Sequence, residues 1–162
     1  MTVVADAGPL IHLSAIGQLD LLPKMFRRVV VPDVVRAEVL AGHGLPGADE
    51  LNAASWVDVA STAHLATQIR ALRPSLDAGE RAAIAVAVER DADLFVCDDR
   101  LGRREAVAQG LRVLGTLGVL VRGKQLGHLE SVAPCIEALQ AAGFRATDAL
   151  VTAILQAAGE AQ

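Results

Sequence analysis

Five acidic residues hold most of the chemistry this sequence offers: Asp6, Glu38, Glu80, Asp98 and Asp99. Asp6 ends the apolar run that begins at Thr2, and Asp98 and Asp99 end the run that begins at Asp93. If both runs are strands of one parallel sheet, all three acids lie on the same edge of it. Glu38 sits nearly two turns into the helix expected after Pro32, and Glu80 lies in the first turn of an alanine-rich helix. A carboxylate on a largely apolar helix is costly unless it is paired or bound to a cation. Four or more carboxylates converging without a lysine among them repel one another, and their pKa values rise unless a cation neutralises them. Hard oxygen donors select Mg²⁺ or Mn²⁺ over softer metals. Such a centre activates water and stabilises charge on a phosphodiester undergoing hydrolysis.

Each acid also has a plainer reading. Asp6 can stabilise the turn before Pro9, Glu38 can be a solvated residue of an amphipathic helix, and Glu80 can complete a capping box with Asp77. Asp98 or Asp99 can cap the helix that Arg100 begins, and neighbours in sequence point different ways, so one of the pair is expected to face the centre. Asp33, Asp77 and Asp148 are read as helix caps. Cys97 and Cys135 form no Cys-x-x-Cys pair and read as buried free thiols. His12, His43, His64 and His128 lack metal-ligand spacing and read as ordinary surface or half-buried residues, which argues against zinc. No Ser-His-Asp or Cys-His set and no glycine-rich phosphate loop competes with the acids.

The elements that must position these acids follow from periodicity. Strands are expected at Thr2–Ala5, Arg28–Val31, Trp56–Val59, Asp93–Cys97 and Leu111–Leu114. Helices are expected from Gly8-Pro9 to about Ile16, over Asp20–Phe26, from Pro32 through Val39, over Ala48–Ala54 and over Ala63–Leu72. Others follow Asp77 and Asp99, and three closing helices span Thr116–Lys124, Ser131–Ala142 and Thr147–Ala158. His43 to Gly47 reads as a loop. Strands alternating with helices predict an α/β fold, a mainly parallel sheet of about five strands covered on both faces. Ligands of such sheets bind beyond the carboxyl ends of the strands, where strand order reverses.

At 162 residues and 52% hydrophobic, the chain suits one domain, residues 1–162, with the helices from about 116 to 158 completing it. No apolar run approaches the roughly 18 residues of a membrane span. No basic region precedes an apolar stretch at the N-terminus, so a cytoplasmic location is expected. The net charge of −4 does not advertise a nucleic-acid binder. Of the 15 basic residues only Lys24 and Lys124 are lysine, and arginine favours bidentate phosphate contact.

Four segments in order resemble the PIN domain, a family of Mg²⁺/Mn²⁺-dependent nucleases that includes the VapC-type toxins. They are Val3-Val4-Ala5-Asp6-Ala7-Gly8-Pro9-Leu10-Ile11, then Val31-Pro32-Asp33-Val34-Val35-Arg36-Ala37-Glu38-Val39. The others are Asp77-Ala78-Gly79-Glu80-Arg81-Ala82-Ala83-Ile84-Ala85 and Ala92-Asp93-Leu94-Phe95-Val96-Cys97-Asp98-Asp99-Arg100. Toxins often show Thr-x-Asp in the fourth segment, which puts Cys97 in the threonine place and Asp99 in that of the main acid. Glu80 stands where many toxins have aspartate. The stretch from Gly110 to Phe144 and the last helix resemble a less studied PIN-like branch.

The resemblance implies a three-layer α/β/α fold with sheet order 3-2-1-4-5. It implies a ribonuclease acting on single-stranded RNA, with Asp6, Glu38, Glu80 and Asp99 holding Mg²⁺ or Mn²⁺ and Asp98 as alternate. Arg100, Arg103 and Arg104 are the candidate contacts for substrate phosphates. A toxin role, a small antitoxin partner whose tail arginine enters the acidic cluster, and a homodimer are further implications. The helices around Leu19–Phe26 and Val34–Leu40 are the expected dimer surface. Two other readings stay open: a non-catalytic PIN-like module that binds RNA or protein, and another metal-dependent phosphoester hydrolase.

Overall fold

The computed structural model describes residues 1–42 and 47–161. Five parallel strands form one sheet: β1 (Val3–Ala5), β2 (Val29–Pro32), β3 (Val57–Ala60), β4 (Leu94–Val96) and β5 (Val113–Leu114). Their spatial order is β3-β2-β1-β4-β5, which is the order the resemblance implies. The switch in direction of travel along the sheet falls between β1 and β4. Helices flank the sheet to give the three-layer α/β/α architecture.

The central strands are apolar throughout because water reaches neither face. Every residue of β1, β2 and β4 is buried. Their near-continuous valine, leucine and phenylalanine runs are the signature of parallel strands covered on both sides. The edge strands are partly exposed. Register is set by Val3 opposite Leu94, Val4 opposite Phe95 and Ala5 opposite Val96, with Val4 also opposite Val30.

Ten α-helices occur among the described residues: α1 (Ala7–Ala15), α2 (Leu21–Phe26), α3 (Asp33–Ala41), α4 (Ala48–Ala53), α5 (Ala66–Ala71), α6 (Ala78–Glu89), α7 (Arg100–Ala108), α8 (Thr116–Gln125), α9 (Ala133–Ala141) and α10 (Asp148–Ala157). The helix expected over Ala63–Leu72 is instead a 3-10 turn, Ala63–Leu65, leading into α5. The loop expected at His43–Pro46 lies outside the described residues. Gly47, which follows it, has φ +103°, a conformation that favours glycine. No described helix is long and apolar enough to cross a membrane.

Three sequence expectations are corrected. Asp148 does not cap α10, because the Thr147 hydroxyl accepts the Leu150 N–H at 3.1 Å. Asp33 lies inside α3 rather than before it. It joins α3 to the end of β3, accepting the Thr62 hydroxyl at 2.6 Å and the Val34 N–H at 2.8 Å. Burial opposes its ionisation, but these bonds keep its pKa below the usual carboxylate range. The expected dimer surface is also largely core: Leu19, Leu21, Leu22, Phe26, Val35 and Val39 are all buried. Of the large apolar residues within 19–26 and 34–40 only Val34 is exposed, while α10 has no buried residue and Leu150 on it is 44% exposed.

Glu160 fastens the segment that follows α10. One carboxylate oxygen accepts from Lys124 Nζ (2.9 Å) and the Val132 N–H (2.7 Å). The other accepts from Ser131 Oγ (2.8 Å) and the Ala133 N–H (3.0 Å). Two of these donors belong to the start of α9 and one to α8, so a single side chain joins the last three helices. Led by the Lys124 hydrogen bond, the donors lower its pKa to about 2. A carboxylate with a depressed folded-state pKa stabilises the fold above its unfolded value and loses that contribution as pH falls through the folded one. Glu160→Gln is therefore expected to cost roughly 1–3 kcal/mol at pH 7. In melting curves, the gap from wild type should close as pH falls from about 4.5 toward 2.

Candidate active site

β1 ends at Ala5, and the Asp6 N–H donates to the Val96 carbonyl of β4 at 2.9 Å, so the pairing runs one residue past the strand. That bond holds Asp6 beside the turn that carries Asp98 and Asp99. Asp6 precedes α1, yet its side chain makes no capping hydrogen bond. Asp6 is only 6% exposed, and its one side-chain hydrogen-bond contact among the described residues is from Cys97 Sγ, 3.8 Å from Oδ2. Burial raises its pKa to about 7; the Ala7 N–H limits the rise, and the charges of Glu80, Asp77 and Glu38 add to it. The Cys97 thiol is buried too, and its pKa is pushed far up, mainly by burial and then by the Asp6 charge.

Glu38 and Glu80 reach the same cleft from α3 and α6. Burial raises both pKa values, with Asp77 repelling both and Asp99 and Glu38 also repelling Glu80. Gly79 makes room for Glu38. A Cβ at position 79 would lie 2.7 Å from Glu38 Oε2, inside any tolerable contact. Glu80 completes the capping box that the sequence suggests: its N–H donates to Asp77 Oδ1 at 2.7 Å, and its Oε2 accepts from the Asp77 N–H at 3.1 Å. Glu80 therefore completes the capping box and also lines the cleft.

Asp98 and Asp99 divide. Asp98 accepts the Thr116 N–H (2.7 Å) on one oxygen, and the Thr116 hydroxyl (2.5 Å) and His12 Nδ1 (2.8 Å) on the other. Burial opposes its ionisation, yet the bonds from His12 and Thr116 keep its pKa below the usual carboxylate range. Asp99 accepts the Gly102 N–H at 2.8 Å on Oδ2, capping α7. Its other oxygen makes no hydrogen bond among the described residues.

These acids share a cleft of about 680 Å³ with residues from the other end of the chain. Its acidic floor is Asp6, Glu38, Asp77, Glu80 and Asp99. Ile11, Phe144, Leu150 and Ile154, with Arg103 and Arg145, line the same cleft. Of the three arginines expected to meet substrate, only Arg103 lines the cleft. Arg100 and Arg104 are exposed on α7 and do not line it. Asp77, read from sequence only as a cap, lines the cleft as well. His12, Phe144 and Arg145 have no local signal, since their approach depends on the packing of α1 and the segment before α10.

The donor set suits a hard dication. None of Asp6, Glu38, Asp77, Glu80 and Asp99 forms an ion pair with a basic side chain among the described residues, where six other ion pairs occur. The cluster is open: no three His, Cys, Asp or Glu among those residues are drawn together closely enough to hold a metal.

A parallel sheet in this order, with acids gathered where its direction of travel reverses, is a doubly wound α/β fold with its candidate site at the switch point. The DUF3368 family model, described as a PIN domain, matches residues 2–160, and the chain belongs to that family. No curated protein matches it.

Asp6 gives this site a measurable signature. A buried carboxyl with a raised folded-state pKa favours the protonated fold, so its contribution is complete below about 3.8 and is lost as pH rises toward 7. Metal-free Asp6→Asn protein is expected to melt with wild type near pH 4. It should melt roughly 5–10 °C higher at pH 8, the equivalent of a few kcal/mol. Parallel pH profiles for the two proteins would refute the assignment.

Proposed function

We propose that this protein is a divalent-metal-dependent ribonuclease that hydrolyses phosphodiester bonds of single-stranded RNA. The observation that carries the reading is one cleft whose lining combines carboxylates in no ion pair among the described residues with apolar side chains and two arginines. In this reading Asp6, Glu38, Glu80 and Asp99 hold Mg²⁺ or Mn²⁺. Asp99 is favoured over Asp98 because three protein donors already occupy Asp98. The bound metal supplies an activated water and Lewis-acid stabilisation of the phosphoryl oxygens. Arg103 and Arg145 attract the phosphates that the overall charge of −4 would repel. Ile11, Phe144 and Leu150 offer an apolar face to unstacked bases, which only a single strand presents.

Activity on a panel of single-stranded RNA, duplex RNA, DNA and small phosphoesters tests the reading, together with Mn²⁺ calorimetry. Single-stranded RNA should be cleaved fastest, and only with Mg²⁺ or Mn²⁺. Asp6→Asn and Asp99→Asn should each lose at least roughly 100-fold in rate and bind Mn²⁺ more weakly. Mn²⁺ binding with cleavage of DNA alone would move the protein to another phosphoester hydrolase. Neither binding nor cleavage would leave a non-catalytic binding module.

Gly79→Ala probes Glu38 without touching an acid. Alanine at this helical position adds up to about 1 kcal/mol of helix propensity. Its Cβ displaces the flexible end of Glu38. Melting temperature should hold or rise while Mn²⁺ affinity falls.

The toxin role belongs to the same proposal. The acidic floor offers a tail arginine of an antitoxin several charge-assisted hydrogen bonds, so a basic peptide and Mn²⁺ would compete for it.

A further inference from the structure

His12 is held as a working side chain would be. It lies on α1, beyond Asp6, and its ring lines the same cleft as the acids. Its Nδ1 is 2.8 Å from Asp98 Oδ2, and Asp98 is in turn fixed by the Thr116 N–H and hydroxyl. An ionised carboxylate only accepts, so Nδ1 must carry the hydrogen of this bond. Phe144 meets the ring edge to face, with centroids 4.9 Å apart and planes at 89°. The orientation of the imidazole is thereby set from two sides. The other ring nitrogen, Nε2, has no protein partner among the described residues, and the side chain is 35% exposed.

Hydrolysis of a phosphodiester between riboses expels an alkoxide, a poor leaving group. Protonating it as the bond breaks is worth about 10²–10⁴ in rate. The cleft arginines do not release protons, and the metal-holding acids act as anions.

We propose that His12 is a further catalytic residue of the reaction inferred above: the general acid that protonates the departing ribose oxygen, with Asp98 and Thr116 as its positioning residues. The inference rests on the ribonuclease reading. In the step, a water oxygen bonds to phosphorus and its proton goes to solvent. The phosphorus–oxygen bond to the leaving ribose breaks and its electron pair stays with that oxygen, which takes the Nε2 proton of His12 in its imidazolium form, where both ring nitrogens carry hydrogen; the ring is left neutral with its Nδ1 hydrogen still on Asp98. Solvent then returns a proton to His12. The products are one hydroxyl end and one phosphate monoester end. A role for His12 confined to pinning α1 against α8 predicts no dependence on the leaving group.

The test compares two single-stranded RNAs with Mn²⁺. One is natural, and in the other sulfur replaces the leaving bridging oxygen, because a thiolate departs without protonation. His12→Gln should lower kcat on the natural RNA by at least about 100-fold and on the sulfur RNA by less than about 3-fold. Affinity for the natural RNA, read by fluorescence anisotropy with Ca²⁺ in place of Mn²⁺, should stay within about 3-fold. Asp98→Asn should show a weaker form of the same selectivity. Equal losses on both RNAs, or no loss on the natural one, overturn the inference and leave the nuclease reading intact. A wild type that cleaves neither RNA removes both. Should His12→Gln melt more than about 5 °C below wild type, the solvent deuterium effect on wild-type kcat decides. A normal effect on natural RNA that disappears with sulfur supports the assignment, and equal effects overturn it.

Discussion

The parallel pairing of β1 with β4 is the constraint from which the cleft follows. Ala5 sits opposite Val96, and the bond from the Asp6 N–H to the Val96 carbonyl extends the ladder by one residue. The first residue past one strand thus stands beside the first residues past the other, although more than ninety positions separate them in sequence. Strands buried on both faces are rigidly specified in register, since a slip of one residue would turn every side chain to the other layer. The valines and Phe95 that fix the register thereby fix where Asp6 stands. The same burial raises the pKa of Asp6, so the core that places the acid also makes its charge costly.

Two neighbouring residues show how finely the loop after β4 is divided. Asp98 turns toward Thr116 and His12, where three donors satisfy it. Asp99 turns the other way, caps α7 with one oxygen and leaves the second free. Gly115 allows this arrangement: a Cβ there would fall 2.9 Å from Arg103 Nη1 and 3.1 Å from Asp98 Oδ1. The tight approach of the β5–α8 turn is what brings the Thr116 N–H to Asp98.

Most of the fold was legible in the sequence because its signals are local. Continuous valine runs marked the buried strands, and the pattern Asp77-Ala78-Gly79-Glu80 marked the start of α6 with its capping box intact. Four of the five acids of the floor, Asp6, Glu38, Glu80 and Asp99, were legible for a related reason: each lies on or beside an element whose type was clear. What stayed hidden depends on side-chain direction and on tertiary packing. The spacing of Arg100, Arg103 and Arg104 does not say which one faces the cleft. Nothing near His12 in sequence announces Asp98, and nothing near Phe144 announces His12. The apolar residues of α2 and α3 looked like a surface because periodicity shows that a helix has an apolar face, not what covers it.

The clasp at Glu160 has a consequence for the order in which the molecule is finished. A ribosome releases the chain from its N-terminus, so the strands and the acidic floor have all emerged before residue 143. The lining from Phe144, Arg145, Leu150 and Ile154 comes later, and the carboxylate that ties α8, α9 and the end of α10 together comes later still. A nascent chain therefore carries its acids before the C-terminal residues that line the cleft with them. The cleft is completed only after the segment from Phe144 to Glu160 has been added and packed.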